Sequence, residues 1–406
     1  MNTTTTAPAA IAPGMVWLLA ISTGLIVANL YYAQTLVGPI AADTGLSAAA
    51  AGLIVTLTQA GYCLGLLFIV PLGDLLENRR LIITGLLVTA GALLAAALAP
   101  SAAVFLSAAL CIGLGSVAAQ VLVPFAAHLA PEATRGQIVG KVVSGLLIGI
   151  MLARPAASLV AGHFGWHSIF YLGAGAMLLL ALLLWRRLPR RVPVATLSYA
   201  ALLASMWHLL LGTPALRRRA AYHAGMFGAF SLFWTTVPLV LASSFGLSQT
   251  EIAIFALVGM AGAVASPVAG YLADAGHTRS ATTGALLLGL AGFALALAVP
   301  GKGTPALAAL VIASIVLDMG VAANLVLGQR TIFALGDEVR SRLNGVYFSL
   351  FFAGGAFGSA SGAWMVASYG WPATLLLGAA MPVLALLYQL SEYRTAGPGT
   401  AERTVS

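Results

Sequence analysis

Apolar stretches of roughly the length that carries a helix across a bilayer recur along the whole chain, each closed by a short polar or Gly/Pro-containing break. Twelve are delimited near residues 15–40, 48–72, 81–99, 103–129, 140–161, 167–185, 220–243, 249–272, 280–299, 305–328, 344–368 and 371–390. The segment 197–211 (LSYAALLASMWHLLL) is also apolar, but Arg clusters flank it on both sides. Crossing the membrane would carry one cluster to the far side and invert every later loop, so the segment is read as a helix lying in the interface. The pattern predicts an all-α membrane protein with twelve transmembrane helices in two pseudo-symmetric six-helix bundles. Its parts are a tail at 1–14, a first bundle at 15–185, a connection at 186–219, a second bundle at 220–390 and a tail at 391–406.

Composition narrows the class. With 60% hydrophobic residues, 7% charged residues and a mean hydropathy of +0.99 over 406 residues, soluble globular, disordered and disulfide-scaffold classes are excluded. The net charge of +8 does not mark a nucleic-acid binder, because of where the charges fall. Breaks after even-numbered stretches and the C-terminal tail hold 17 of the 19 Lys and Arg residues, against only Lys302 in the breaks after odd-numbered ones. The positive-inside rule then places both termini and the 186–219 connection in the cytoplasm. The first charge is Asp43, so no basic region precedes the first apolar run, which reads as a retained span and not a signal peptide. Cys63 and Cys111 both fall in apolar runs and read as small buried hydrophobes.

A shift of 200 residues superposes Leu72 on Leu272, Asp74 on Asp274, Arg79 on Arg279, Gly145 on Gly345 and Gly162 on Gly362. Asp is scarce here, yet two fall in equivalent loops, VPLGDLLENRR (70–80) and GYLADAGHTR (270–279). These loops resemble the loop signature of the major facilitator superfamily. The second matches it at Gly270, Leu272, Ala273, Asp274 and Arg279; the first has Val70, Leu75 and Glu77 where the signature has Gly, Arg and Gly. The stretches ANLYYAQTLVGPIA (28–41), LDMGVAANLVLGQR (317–330) and RLNGVYFSLFFAGGAFGSASG (342–362) look like bacterial members grouped with multidrug efflux carriers, of the drug/proton antiporter type. The resemblance implies that Asp74, Arg79, Asp274 and Arg279 form a cytoplasmic latch between the halves; the alternative is an Asp that only caps the next helix. Two positions depart from the antiporter pattern: Ala109 stands near GLGSVAAQ (113–120) where an Arg is common, and Arg154 stands where the fifth span's Gly would be.

Within the stretches, Arg154 and Asp318 carry the strongest signal, because a charge near the bilayer centre costs roughly 2.5 to 3.5 kcal/mol on insertion scales. Counted from the cytoplasmic ends of their stretches, the two differ in depth by only about 6 Å, within reach of each other. They read as a fixed ion pair or as a substrate- or ion-coupling site. Asn29, Tyr31 and Tyr32, with Gln120, Ser231 and Thr235, add polar groups on helices that line the central cavity of the family. Gly145, Gly149, Ala153, Ala157 and Ala161 recur every fourth residue, as do Gly354, Gly358 and Gly362, a pattern for close helix packing. Its corollary is that these helices slide against the opposite half.

No HExxH, Cys/His metal spacing, phosphate-binding Gly-Lys-Ser/Thr loop or nucleophile–base pair is present in the sequence, so neither enzyme, cofactor nor metal is expected. The expectation is a monomeric secondary transporter whose partners are a small-molecule solute, protons and membrane lipid. Resemblance favours proton-coupled efflux of a drug-like or amphipathic compound by alternating access. The alternatives are an importer of a small organic anion that uses Arg154, and a non-transporting membrane receptor.

Overall fold

The computed structural model describes residues 12–193, 197–336 and 339–395, which are helical apart from short turns. Nine single spans are Leu53–Asp74, Asn78–Ala97, Ala102–Leu129, Arg135–Phe164, His167–Arg187, Pro214–Phe245, Gln249–Asp274, Thr278–Ala298 and Thr304–Phe333. The helix Arg340–Thr395 is broken at Gly370 (φ 82°, ψ −179°) and supplies two more. The first is assembled from Pro13–Ala28 and Val37–Thr44, joined through a 3-10 turn at Tyr32–Thr35. Together they make twelve crossings, numbered here as spans 1 to 12 in chain order. The helix Tyr199–Gly212 has 14 residues and is capped by the Ser198 hydroxyl. At about 1.5 Å per residue it is too short for a hydrocarbon core of about 30 Å.

Span 1 is interrupted because Asn29 folds back on its own helix, its side-chain amide donating to the Leu25 and Ile26 carbonyls at 3.1 and 3.0 Å. Irregular backbone at membrane depth is tolerated only where protein covers it, and residues 29–37 are all buried. Spans 4 and 8 are also jointed, at Val117 and across the 3-10 turn Met260–Val264.

At their glycines the small-residue stripes face their own bundle and not the opposite half, contrary to the sliding corollary. A Cβ added at Gly145 or Gly149 would collide with the Ala20 or Gly24 carbonyl of span 1, in the same bundle, and one at Gly354 or Gly358 with the Ala224 or Gly228 carbonyl of span 7. Each stripe fastens the span that carries it to the first span of its own bundle, and the two bundles repeat the arrangement. Other faces make the seam between bundles. Along spans 2 and 11 the Thr56 and Ser359 hydroxyls lie 2.8 Å apart and the Cys63 thiol donates to the Ser349 carbonyl at 3.2 Å. Spans 5 and 8 meet where Gly162 abuts Thr250.

The repeat extends to a pair that the 200-residue shift misses. Gly165 (φ 81°, ψ 157°) and Gly370 are each followed by Trp and reverse the chain between spans 5 and 6 and spans 11 and 12. This backbone region is essentially restricted to Gly, and strain there costs about 1 to 3 kcal/mol. Gly370→Ala and Gly165→Ala should each lower stability by an amount of that order in thermal unfolding of the detergent-purified protein. Gly91→Ala, on helical backbone with nothing within 4 Å of an added Cβ, should not lower it.

Candidate functional site

The polar centre is built on span 5 at Arg154, which precedes Pro155 inside the helix. Arg154 is 2% exposed and Asp318, on span 10, 9%. Arg154 Nη2 lies 3.6 Å from Asp318 Oδ2, so the pair joins the two bundles. The other carboxylate oxygen, Oδ1, accepts a hydrogen bond from the Trp234 indole of span 7 at 2.9 Å. The same indole lies under the guanidinium, 3.9 Å from Arg154 Cζ to the ring centroid, and the Phe230 ring flanks it at 5.0 Å. Such cation–π contacts are worth about 2 kcal/mol or more when desolvated. Span 8 reaches Asp318 because it presents Gly262 there; a Cβ would overlap that of Asp318. On the other side the Thr35 hydroxyl of span 1 donates to the Arg154 carbonyl at 3.4 Å.

Around this pair the sequence candidates divide. Ser231 and Gln59 bond across the seam at 2.9 Å, and Gln120 donates to the Tyr62 hydroxyl at 3.1 Å. Tyr31 is buried in the electrostatic range of Tyr62 and Arg154. Thr235 is buried one turn from Ser231, and its hydroxyl has no partner. Asn29 and Tyr32 belong elsewhere, against span 6: the Asn29 amide contacts Met177 Sδ at 3.4 Å, and the Tyr32 ring packs on Gly173. Several buried polar atoms lack a hydrogen-bond partner, among them Arg154 Nε and Nη1 and both side-chain polar atoms of Gln34. Buried groups of this kind are ordinarily paired, so the centre has unused capacity. A cavity of about 360 Å³ adjoins it at the end away from the Arg-rich loops, lined by Thr35, Gly38, Pro39, Pro238, Leu239 and Gln249 among others.

The four loop residues do not pair with one another. Asp274 bonds to Arg330 of span 10, and Arg279 Nε lies 3.7 Å from Glu392 Oε2, both contacts inside the second bundle. Arg79 donates to the Leu188 carbonyl at the end of span 6, at 3.3 Å. Asp74 alone faces across the seam, with Arg191 of its own bundle and Arg342 of the other as its cationic neighbours. Neither Asp caps the following helix, since the N-caps of spans 3 and 9 are Glu77 and His277, neither of which makes a side-chain capping bond. Instead Asn78 fastens the first loop: its amide donates to the Gly73 carbonyl at 2.5 Å and its carbonyl oxygen accepts from Arg191 at 2.9 Å.

Sequence reading missed Trp234, Gln59, Tyr62, Arg330 and Glu392. Trp234 lies three residues from Ser231 and one from Thr235, so a search for aromatic neighbours of the polar pair on span 7 would have found it. Among the described residues no group of three His, Cys, Asp or Glu side chains is placed to hold a metal ion.

Two six-helix bundles joined at a buried polar seam define a membrane transport protein of the multi-pass type. The chain belongs to the Major Facilitator Superfamily, whose family model matches residues 17–326 and 220–404. It is 41% identical over 379 residues to the uncharacterised transporter YgaY of Escherichia coli O157:H7, covering 93% of this chain and 95% of that one. It is 33% identical to the probable transporter SCO4007 of Streptomyces coelicolor, over 90% of this chain and 85% of that one. In fold it is similar to a bacterial homologue of the human lysosomal transporter Spinster, solved in an inward-facing, occupied conformation. The TM-score is 0.76 at 15% identity, over 94% of this chain and 97% of that one. Proteins of this superfamily transport solutes and are not enzymes.

The two kinds of ion pair should differ in weight. Removing one partner of a buried pair leaves an uncompensated charge and costs about 3 to 5 kcal/mol. Arg154→Gln should therefore unfold far more readily than wild type, and Arg154→Gln/Asp318→Asn should regain most of the loss. The Asp274–Arg330 pair is substantially exposed, so Asp274→Asn should cost less than about 1 kcal/mol in the same melting assay.

Proposed function

We propose that the chain is a secondary active transporter that moves a small organic solute across a bacterial cytoplasmic membrane by alternating access. The observation that supports this reading most directly is the charge pair across the seam. Arg154 belongs to one bundle and Asp318 to the other, 3.6 Å apart and out of water. Relative motion of the bundles changes that separation, and a carboxylate that gains and loses its cation is a site where a proton can be taken up and released. Asp318 is the proposed proton carrier, and Arg154, Tyr31, Gln120, Ser231 and Thr235 the proposed surroundings of the solute. Asp74, with Arg342 opposite, is the proposed closing contact at the Arg-rich end, and the remaining three loop residues stiffen the bundles.

Efflux of a drug-like compound rests on sequence resemblance. Import of a small organic anion is a second reading, favoured by the guanidinium nitrogens of Arg154 that have no acceptor. Both readings place the termini and the 186–219 connection in the cytoplasm, in keeping with the arginine distribution.

Two measurements test the proposal. In a Cys63→Ser/Cys111→Ser background, Ser198→Cys and Thr213→Cys should resist an impermeant thiol reagent in intact cells; labelling from outside would overturn the topology. For transport, compounds that raise the melting temperature of the purified chain should show counterflow in proteoliposomes, and a pH gradient should drive their net accumulation. Counterflow should be lost in folded Arg154→Gln/Asp318→Asn protein. Binding without counterflow would make the chain a receptor, and accumulation indifferent to the pH gradient would remove the proton.

A further inference from the structure

We infer that the solute is a small monocarboxylate with an aromatic or branched apolar body, held by the free N–H groups of Arg154. This inference rests on the transport reading above and narrows it. Both oxygens of Asp318 are engaged, Oδ1 by the Trp234 indole at 2.9 Å and Oδ2 by Arg154 Nη2 at 3.6 Å. Arg154 retains Nε and Nη1 without any acceptor, at 2% exposure. The atoms of the charge pair left with no partner at all are therefore donors on a cation, and their complement is an acceptor. The separation of 3.6 Å exceeds the roughly 2.7–2.9 Å of a close charge-assisted bond. Asp318 thus leaves much of the guanidinium's pairing strength unspent, which favours an anionic acceptor over a neutral one. A cationic solute would meet Arg154 itself, and the carboxylate at its side, Asp318, is already bonded to Trp234.

One guanidinium with one neighbouring carboxylate suits a singly charged group better than a dianionic phosphate, which needs more positive charge around it. The neighbours of the guanidinium bear on the rest of the molecule. Trp234 and Phe230 stand 3.9 and 5.0 Å from the guanidinium carbon, so a carboxylate that reaches Nε or Nη1 brings its apolar body up to aromatic side chains. Gln34, fully buried with neither amide atom paired, lies in the same turn as Thr35, whose hydroxyl reaches the Arg154 carbonyl. A second polar substituent on the solute has a partner there. The cavity beyond Thr35, at about 360 Å³, falls in the size range of small-ligand sites.

The test uses the full-length purified chain and three matched arms: aromatic and branched aliphatic monocarboxylates, the primary amides of the same skeletons, and the corresponding amines. Members of the carboxylate arm should give a dose-dependent rise in melting temperature, as mass action requires of a native-state ligand, and their amides and amines should not. Arg154→Gln/Asp318→Asn should lose that response while retaining its helical circular dichroism. In proteoliposomes the same labelled carboxylates should show counterflow well above the double variant, which serves as the baseline for unaided permeation of the protonated acid.

Stabilisation and counterflow by amines or amides alone would overturn the carboxylate inference and leave the transport reading standing. An undiminished carboxylate response in the double variant would overturn the role of Arg154. Absence of stabilisation in all three arms would overturn the inference as well. Stabilisation by carboxylates with no counterflow in any arm would overturn the transport reading instead, while keeping the binding site.

Discussion

A guanidinium at membrane depth has to be answered from within the protein, and the surroundings of Arg154 are arranged to meet that demand. The cost of leaving it in hydrocarbon is offset by two elements: a carboxylate from span 10 and an indole face from span 7. The helices around it are locally irregular. The break in span 1 brings the Thr35 hydroxyl to the Arg154 backbone carbonyl, and span 8 carries Gly at 262 where the backbone of span 10 comes close. One site thereby gathers features of four helices besides its own.

Within each bundle the fastening is of a different kind. Gly-to-carbonyl contacts tie span 5 to span 1 and span 11 to span 7, with no charge involved. Lipid offers little hydrophobic force between helices, so close backbone approach and dispersion hold each bundle together. Beside the Arg154–Asp318 pair, the seam is held by hydroxyls, amides and a thiol: Thr56 with Ser359, Gln59 with Ser231 and Cys63 with the Ser349 carbonyl. Such hydrogen bonds in membrane proteins average well under 2 kcal/mol each. Rigid bundles and a weakly bonded seam are the mechanical requirement for bodies that rock against each other.

The spans and their number were legible in the sequence because length and hydropathy alone decide them. The depth match of Arg154 and Asp318 was legible for the same reason, since rise per residue converts sequence position into height. Partner identity was not. The loop signature names Asp274 and Arg279 together, but Asp274 ends a helix beside span 10 and takes Arg330, and Arg279 starts the next helix and takes Glu392. A stripe of small residues likewise states that something packs closely without stating what, and here it is the same bundle. The breaks in spans 1, 4 and 8 left no trace in hydropathy, because a broken helix and a straight one bury the same apolar residues.

The helix Tyr199–Gly212 touches both bundles at the Arg-rich end. Its Tyr199 hydroxyl donates to the Phe68 carbonyl at 2.8 Å, and Arg342 donates to its Ser205 hydroxyl at 2.5 Å. Met206 packs on Gly345, in an apolar cluster with Leu216, Ile332, Leu343 and Tyr347. Tyr199 and Phe68 belong to one attachment, Ser205 and Arg342 to the other, and less than two turns of helix separate them. The connection between the bundles is therefore a clamp with a fixed span as well as a tether. In the alternating-access cycle proposed above, opening this end would require one jaw to let go, so these contacts weight the balance toward the state in which the end is shut.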